Sequence, residues 1–500
     1  MKFYLTTPIY YVNGNPHIGT AYTTIVADVL ARYHRLRGDD VFFLTGTDEN
    51  SQKNVEASEK QSIDVQTYVD QMSVCWQNTF RDLGITYDRF IRTTEGEHKK
   101  AVDKFWNAVA ATGDIYLGDY DGLYCVGCED FKQQSDLHDG KCPLHLKEPT
   151  VIKEKNYFFR LSKYRDALLS HIAANPDFIN PEERRNEITS YIKNFMTDVS
   201  ISRETATWGI SVPTDSTHVI YVWFDALINY LTGVGYGSDE AQFARYWPAD
   251  IHLVGKDIIK FHCALWPAML LSAGLPLPKH IYAHGFFTVN GVKISKSLGN
   301  AIDPLEIIQQ YGNDTLRFFL LREIPFGSDG DFSFSRMTER YNGDLANELG
   351  NLLHRVLSMI EKYTEGKVPA ATQGSLNDTW SAYEKSLSTL RFHDALDAIW
   401  RVLRDANKTI DDEKPWVLAT NNTARLAEVL YTLLEQLRHV AWLISPIMPE
   451  TSQKIFAQLG IVENESKKTW DDAKIWGGMK EGAMIAKGTP LFVKNNYVNR

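Results

Sequence analysis

A change in the spacing of apolar residues part-way along the chain narrows the fold most. From about residue 345 they recur every three or four positions: Leu345, Leu349, Leu352 and Val356, then Leu396, Ile399, Leu403, Ala406 and Ile410, then Leu426, Leu430, Leu433, Leu437 and Val440. A period near 3.6 marks the buried stripes of an antiparallel helical bundle. Before residue 115 the pattern differs. Apolar runs at residues 3–11 and 41–44 flank a stretch with Ile25, Val29, Tyr33 and Leu36 on one face, stopped at Gly38. Strand, helix, strand in that order predicts a parallel α/β unit. Residues 116–220 break the pattern with cysteines and turns, and strand-like runs resume at 219–224, 251–254 and 281–287. An α/β domain split by an insertion and followed by helices is the economical reading.

Five hundred residues leave room for about three domains. The net charge of −10 argues against holding nucleic acid by bulk charge alone, while leaving room for a local basic groove. Residues 1–8 lack the basic stretch, apolar run and cleavage site of a signal peptide, and no long apolar stretch suggests a membrane span. A cytoplasmic protein is expected.

Five cysteines are too few for a disulfide scaffold. Three of them have a telling arrangement: Cys125-Val-Gly-Cys128, thirteen intervening residues, then Cys142-Pro-Leu-His145. Each pair forms a tight knuckle, and three sulfurs with one imidazole nitrogen fit a closed tetrahedral Zn2+ site. Four protein ligands leave no open position, so the ion is assigned a structural role. His138 has the wrong spacing and is expected to face solvent; Cys263 is expected in the core.

Two further segments suit phosphate handling. Asn15-Pro-His17-Ile-Gly19-Thr20 falls where the first strand turns into the first helix, and backbone N–H groups at such a turn favour an anion. Lys293-Ile294-Ser295-Lys296-Ser297 follows Asn290-Gly291, a two-residue hairpin signal, and so is expected on an exposed loop after a strand. Two lysines and two hydroxyls there can grip a pyrophosphate. Either segment alone is weak; their order around a split α/β core is specific.

With these motifs the chain resembles the class I aminoacyl-tRNA synthetases that carry HIGH and KMSKS signatures. Among them it is similar to the methionyl-tRNA synthetases of bacterial type with a single zinc knuckle. The closer match is carried by Pro8-Ile-Tyr-Tyr-Val-Asn, Phe43-Leu-Thr-Gly-Thr-Asp-Glu, the knuckle, Tyr221-Val-Trp-Phe-Asp-Ala, Gly255-Lys-Asp-Ile, and Phe261-His262 through Trp266-Pro-Ala-Met-Leu. It spans nearly the whole chain. The resemblance implies a Rossmann-type catalytic domain in two halves, 1–115 and 221–290, separated by a zinc-bearing connective insertion at 116–220. It also implies a KMSKS-type loop and stem-contact region at 291–345, a helical anticodon-binding domain at 346–475 and a tail at 476–500.

The implied activity is methionine–tRNA ligase: L-methionine and ATP give methionyl-adenylate and pyrophosphate, and the acyl group then passes to the 3′ end of tRNA(Met), initiator tRNA included. By resemblance His17, Gly19, Lys293, Ser295 and Lys296 serve catalysis, and His17, Gly19, Thr20, Asp257 and Lys296 bind ATP, which comes with Mg2+. Ile9, Tyr11, Asp48, Trp223, Ala226, Tyr230, Ile258 and His262 bind methionine, and Asn351, Arg355 and Trp416 read the anticodon. The chain ends soon after its bundle, so a monomer is expected. Two rivals are another HxGH nucleotidyl transferase acting on a small metabolite and a silent tRNA-binding paralogue. Asn351, Arg355 and Trp416 argue against the first, and His17 with Lys296 against the second. Thr20 replaces the second His of HIGH and Ile294 the Met of KMSKS. Asn50-Ser51 stands where the family commonly has His-Gly, a change the sequence leaves unexplained.

Overall fold

The computed structural model describes residues 1–128, 130–132, 134–143, 146–289, 292–293, 301–465 and 468–494. These fall into two compact units. The first gathers the described residues of Met1–Ala27, Asp40–Gly285 and Lys296–Asp303, the second those of Asp28–Asp39, Phe286–Ser295 and Pro304–Arg500.

The first unit is built on a six-stranded sheet in the spatial order Arg89–Arg92, Asp40–Asp48, Lys2–Tyr11, Ile251–Gly255, His280–His284, Ile179–Asn180. Every pairing is parallel. Parallel neighbours need long crossovers, and helix Ile18–Leu36 supplies the first of these. The central strands are sealed on both faces: Leu5, Phe43, Leu44, Leu253 and Val254 have no or almost no exposure. Gly46 allows the second and third strands to meet, because a Cβ there would lie 2.0 Å from the Ile91 carbonyl oxygen.

The inserted region forms an antiparallel sheet in the order Asp130–Lys132, Ile115–Cys125, Thr150–Phe159, Val199–Ser200. It also contributes Ile179–Asn180 as the edge strand of the parallel sheet. The expected strand at 219–224 is corrected. Its strand, Asp215–Ile220, ends two residues in and belongs to a small antiparallel sheet, and Val222–Leu227 is helical. Every residue from Ile220 to Leu231 is buried, Asp225 and Asn229 included, so no exposed polar face marks the change of period, and short apolar runs of this kind suit either element. The run at 281–287 is likewise two strands. The parallel strand stops at His284, and Phe287–Val289 belongs to a separate sheet in the second unit.

The second unit is mostly helical, with Asn351–Thr364, Asn377–Ser388, Phe392–Glu413, Thr423–Ile444 and Pro449–Gln458 as its main helices. All fourteen residues of the three stripes are buried. Among the described residues no helix is long and apolar enough to cross a membrane.

Candidate functional site

The first helix opens on a closed polar turn. The Thr20 hydroxyl donates to the His17 carbonyl at 2.8 Å and accepts from the His17 N–H at 3.1 Å. Thr20 therefore caps the turn, which gives the departure from HIGH a local role. Gly19 N–H donates to His17 Nδ1 at 3.1 Å, so in the neutral ring the proton sits on Nε2. A side chain at position 19 would begin 3.1 Å from that ring, so glycine leaves the imidazole its place.

The apolar and aromatic candidates converge at the carboxyl ends of the parallel strands, where open α/β sheets place their ligands. Tyr11 closes the first strand directly beside Asp48, the last residue of the second. Asp48 is 3% exposed, and Asn54 Nδ2 donates to its carbonyl at 3.2 Å. Tyr11 meets Trp223 edge to face at 6.4 Å, and Lys53 Nζ lies 4.3 Å above the Tyr11 ring. Ile9 and Ile258 pack against the same cluster as Trp223 and Tyr230. Ala226, one turn beyond Trp223, is buried.

His262 sits on a segment of wider helical turn, Phe261–Leu265, with both ring nitrogens engaged. Nδ1 lies 3.0 Å from the Ile258 carbonyl and Nε2 2.7 Å from the Tyr230 hydroxyl. Burial pushes its pKa down to about 4, so the ring is neutral. Nδ1–H then donates to the carbonyl, and Nε2 accepts from the Tyr230 O–H. His262 can therefore meet a ligand only with its ring edge. Tyr230 in turn stacks on His252 at 4.2 Å. Trp266 Nε1–H donates to His252 Nε2, which leaves Nδ1–H for the Thr6 hydroxyl. The result is an apolar box in which Tyr230 bonds to His262 and Trp266 to His252, while the buried Trp223 Nε1 has no hydrogen-bond partner among the described residues. Asp257, exposed just past the end of strand Ile251–Gly255, lies on a single turn directly before Ile258.

Sequence reasoning passed over two features. Phe261 stacks flat on Trp223, ring centroids 3.9 Å apart and nearly parallel; its place next to His262 was the available signal. Asn50 donates through Nδ2 to Asp225 Oδ2 at 3.0 Å, both residues being buried. Only the departure from His-Gly had marked Asn50.

Lys293 is the second residue of a short strand, opposite Thr288, rather than part of a loop. Val289 faces Val292 across the same antiparallel pair, in keeping with the hairpin signal. Ser295 and Lys296 lie outside the described residues, as does His145.

Cys125, Cys128 and Cys142 bring their sulfurs within 4.8 Å of one another. Cys128 and Cys142 are 3.5 Å apart, too far for a disulfide and near the edge of about 3.8 Å expected of a tetrahedron with Zn–S bonds of about 2.3 Å. Cys128 N–H donates to the Cys125 carbonyl, and Leu146 N–H, at φ +55°, to that of Cys142. The donor set fits a soft divalent ion. His138 is exposed and Cys263 is fully buried.

In the second unit, Asn351 and Arg355 lie one turn apart on helix Asn351–Thr364. Arg355 reaches Asp411 at 3.2 Å and Asn407 at 3.4 Å on helix Phe392–Glu413. Trp416 follows Pro415 at the start of helix Pro415–Asn421 and is 50% exposed, which sets it outside the bundle core.

Comparison with known proteins gives a consistent answer. A family model described as tRNA synthetases class I (M) matches residues 3–145 and 132–357, and one described as the anticodon-binding domain of tRNA ligase matches 373–485. The methionine–tRNA ligase of Thermotoga maritima is 47% identical over 99% of this chain and 80% of its own length. That of Thermosynechococcus vestitus is 44% identical over 98% of this chain and 97% of its own. The Mycobacterium tuberculosis methionyl-tRNA synthetase bound by methionyl-adenylate matches with a TM-score of 0.94 at 42% identity, covering 99% of this chain and 100% of that one. Its free state matches with a TM-score of 0.87 at 40% identity, covering 99% of each chain. A parallel sheet bearing the HIG turn and an aromatic box, a three-cysteine cluster, a helical unit and these relatives agree: the chain belongs to the class I methionyl-tRNA synthetases.

Proposed function

We propose that this chain is a cytoplasmic methionine–tRNA ligase, which forms methionyl-adenylate from L-methionine and ATP and charges tRNA(Met). The observation that carries the reading is the box of Tyr11, Trp223, Tyr230 and His262 beside a buried carboxylate. Aromatic faces and apolar walls suit a flexible thioether, with sulfur–aromatic contacts worth about 0.3–1.5 kcal/mol each. Asp48 is the natural partner for the substrate ammonium, and Ile9, Ala226 and Ile258 complete the wall. Tyr230 and His262 satisfy each other, so neither offers a free donor of its own to an oxygen-bearing side chain.

Activation is in-line attack of the methionine carboxylate on the α-phosphorus. The carboxylate is already a nucleophile, so the protein's work is positioning and charge stabilisation. His17, with its proton on Nε2, Gly19 and Thr20 hold the ATP phosphates and adenine at the helix start, and Asp257 takes the ribose. Lys296 stabilises the charge growing on pyrophosphate, with Lys293 and Ser295 assisting. ATP enters as its Mg2+ complex, the cation serving as phosphate counter-ion.

Cys125, Cys128 and Cys142, with His145 as fourth ligand, would hold Zn2+, whose contribution is to cross-link the two knuckles of the insertion. Cys142→Ser protein is expected to lose its bound zinc by metal analysis and to unfold first in the insertion; unchanged stoichiometry would refute the assignment.

In the helical unit Trp416 offers an open face to a splayed anticodon base, and Asn351 and Arg355 offer hydrogen bonds to base edges. The deciding assay is methionine-dependent exchange of pyrophosphate into ATP, together with charging of tRNA. No exchange from folded, zinc-loaded protein would sink the reading. Trp416→Ala should cut charging efficiency by about 5- to 150-fold, the loss of one stacking contact of about 1–3 kcal/mol, and spare exchange. Equal losses in both would make Trp416 a packing residue.

A further inference from the structure

Beyond the end of strand Asp40–Asp48 the chain stays buried through Glu49, Asn50 and Ser51. Asn50 makes three attachments there. Its backbone N–H points to Asp48 Oδ1 at 3.4 Å, and Nδ2 donates to the Thr93 carbonyl at 3.3 Å and to Asp225 Oδ2 at 3.0 Å. Asp225 lies on helix Val222–Leu227, between Trp223 and Ala226. The two segments that Asn50 joins share an unusual property. Among the described residues Ser51 Oγ and Asn54 Oδ1 on one, and Trp223 Nε1, Asp225 Oδ1 and Asn229 Oδ1 on the other, are buried without a hydrogen-bond partner. Such atoms are rare, and the Asn50 amide ties the two segments directly through Asp225 Oδ2.

We propose that Asn50 and Asp225 form a positioning clasp, a buried amide–carboxyl hydrogen bond that sets Asp48 at the correct distance from the Trp223–Ala226 wall. The inference rests on methionine occupying that space, as proposed above. Among the described residues no ion pair forms to Asp225. The Asn50 amide and the Thr93 carbonyl are neutral. His98, from helix Gly96–Ala111, is held neutral by burial, which pushes it down to about 3. Asp48 is a second carboxyl, and Glu49 is taken up by Arg92 through bonds of 2.8 and 3.0 Å. Burial accordingly raises the Asp225 carboxyl well above its usual range, the Asn50 amide opposing this only in part. Burial thus favours the protonated form of Asp225, whose Oδ2 accepts from Asn50, a role an asparagine side chain can also fill.

The test measures pyrophosphate exchange with methionine and ATP varied separately. Asn50→Ala and Asp225→Ala should each raise the methionine KM about tenfold, the scale of one buried hydrogen bond, and leave the ATP KM within about twofold. The double variant should cost no more than either single change, because both remove the same bond. Asp225→Asn should recover most of the methionine KM. If Asn50→Ala does not fold, Asn50→Ser carries the same readout. Additive losses, parallel rises in both KM values, or an Asp225→Asn as damaging as Asp225→Ala would each overturn the clasp while leaving the enzyme reading intact. Absence of methionine-dependent exchange in the unchanged protein would overturn that reading and the clasp with it.

Discussion

Asp48→Asn protein is expected to need about 100-fold more methionine for half-maximal exchange, with its ATP KM nearly unchanged. Asp48 is a buried carboxylate beside Tyr11, and its proposed partner is the substrate ammonium. Asparagine keeps the shape and one acceptor oxygen but removes the charge, so a buried cation is left without its counter-ion. Truncating one side of such a pair costs about 2–5 kcal/mol, and two orders of magnitude lies inside that range. The effect should fall on KM, because the ammonium is bound alike in substrate and adenylate and takes no part in bond formation. Isothermal titration with methionine alone checks the same point without chemistry. An unchanged affinity would move the ammonium site elsewhere in the pocket.

Lys296→Ala protein should show the opposite profile: exchange slower by about 10²–10³-fold, methionine affinity nearly intact. The charge that Lys296 is proposed to meet appears only as pyrophosphate departs, so its removal raises the barrier without touching the ground state. Loss of a single aimed donor at a developing anion has about that effect elsewhere. Lys296→Arg, which keeps the charge in a different shape, should recover part of the rate. A matching loss of methionine affinity would place this lysine in the wrong role.

The two variants also show where the sequence spoke clearly. The helical stripes were legible because apolar residues recur at the helical period. Helices Asn351–Thr364 and Phe392–Glu413 also keep exposed residues off the stripe, whereas Thr423–Ile444 has none from Val429 onward. The strand pattern of the parallel sheet was legible for another reason: Leu5, Phe43, Leu253 and their neighbours are buried and form short, mostly apolar runs, broken only by the buried Thr6, Thr7 and His252. That same lack of contrast hid the change from strand to helix after Ile220, where no exposed polar face marks the turn. Asp225 and Asn50 were unreadable in a stronger sense. Their partnership spans 175 positions and leaves no local periodicity or spacing behind. The stacking of Phe261 on Trp223 is equally non-local. The clustering of Cys125, Cys128 and Cys142 was legible because the CxxC spacing brings its two sulfurs together within a few residues.

The order of strands in the parallel sheet has a consequence for synthesis. Lys2–Tyr11 is the first strand made, yet it sits in the interior of the sheet, and its second neighbour is reached only when Leu5 pairs with Ile251. At translation rates of about 5–20 residues per second the interval is roughly 12–50 s. During it one side of an apolar strand has no partner, and unpaired edges of this kind recruit other chains. The outer strand Ile179–Asn180 comes from the insertion and is made before the strand it borders. Half the sheet must therefore be assembled late and together, which makes the nascent first half of this chain a demanding client for whatever shields it on the ribosome.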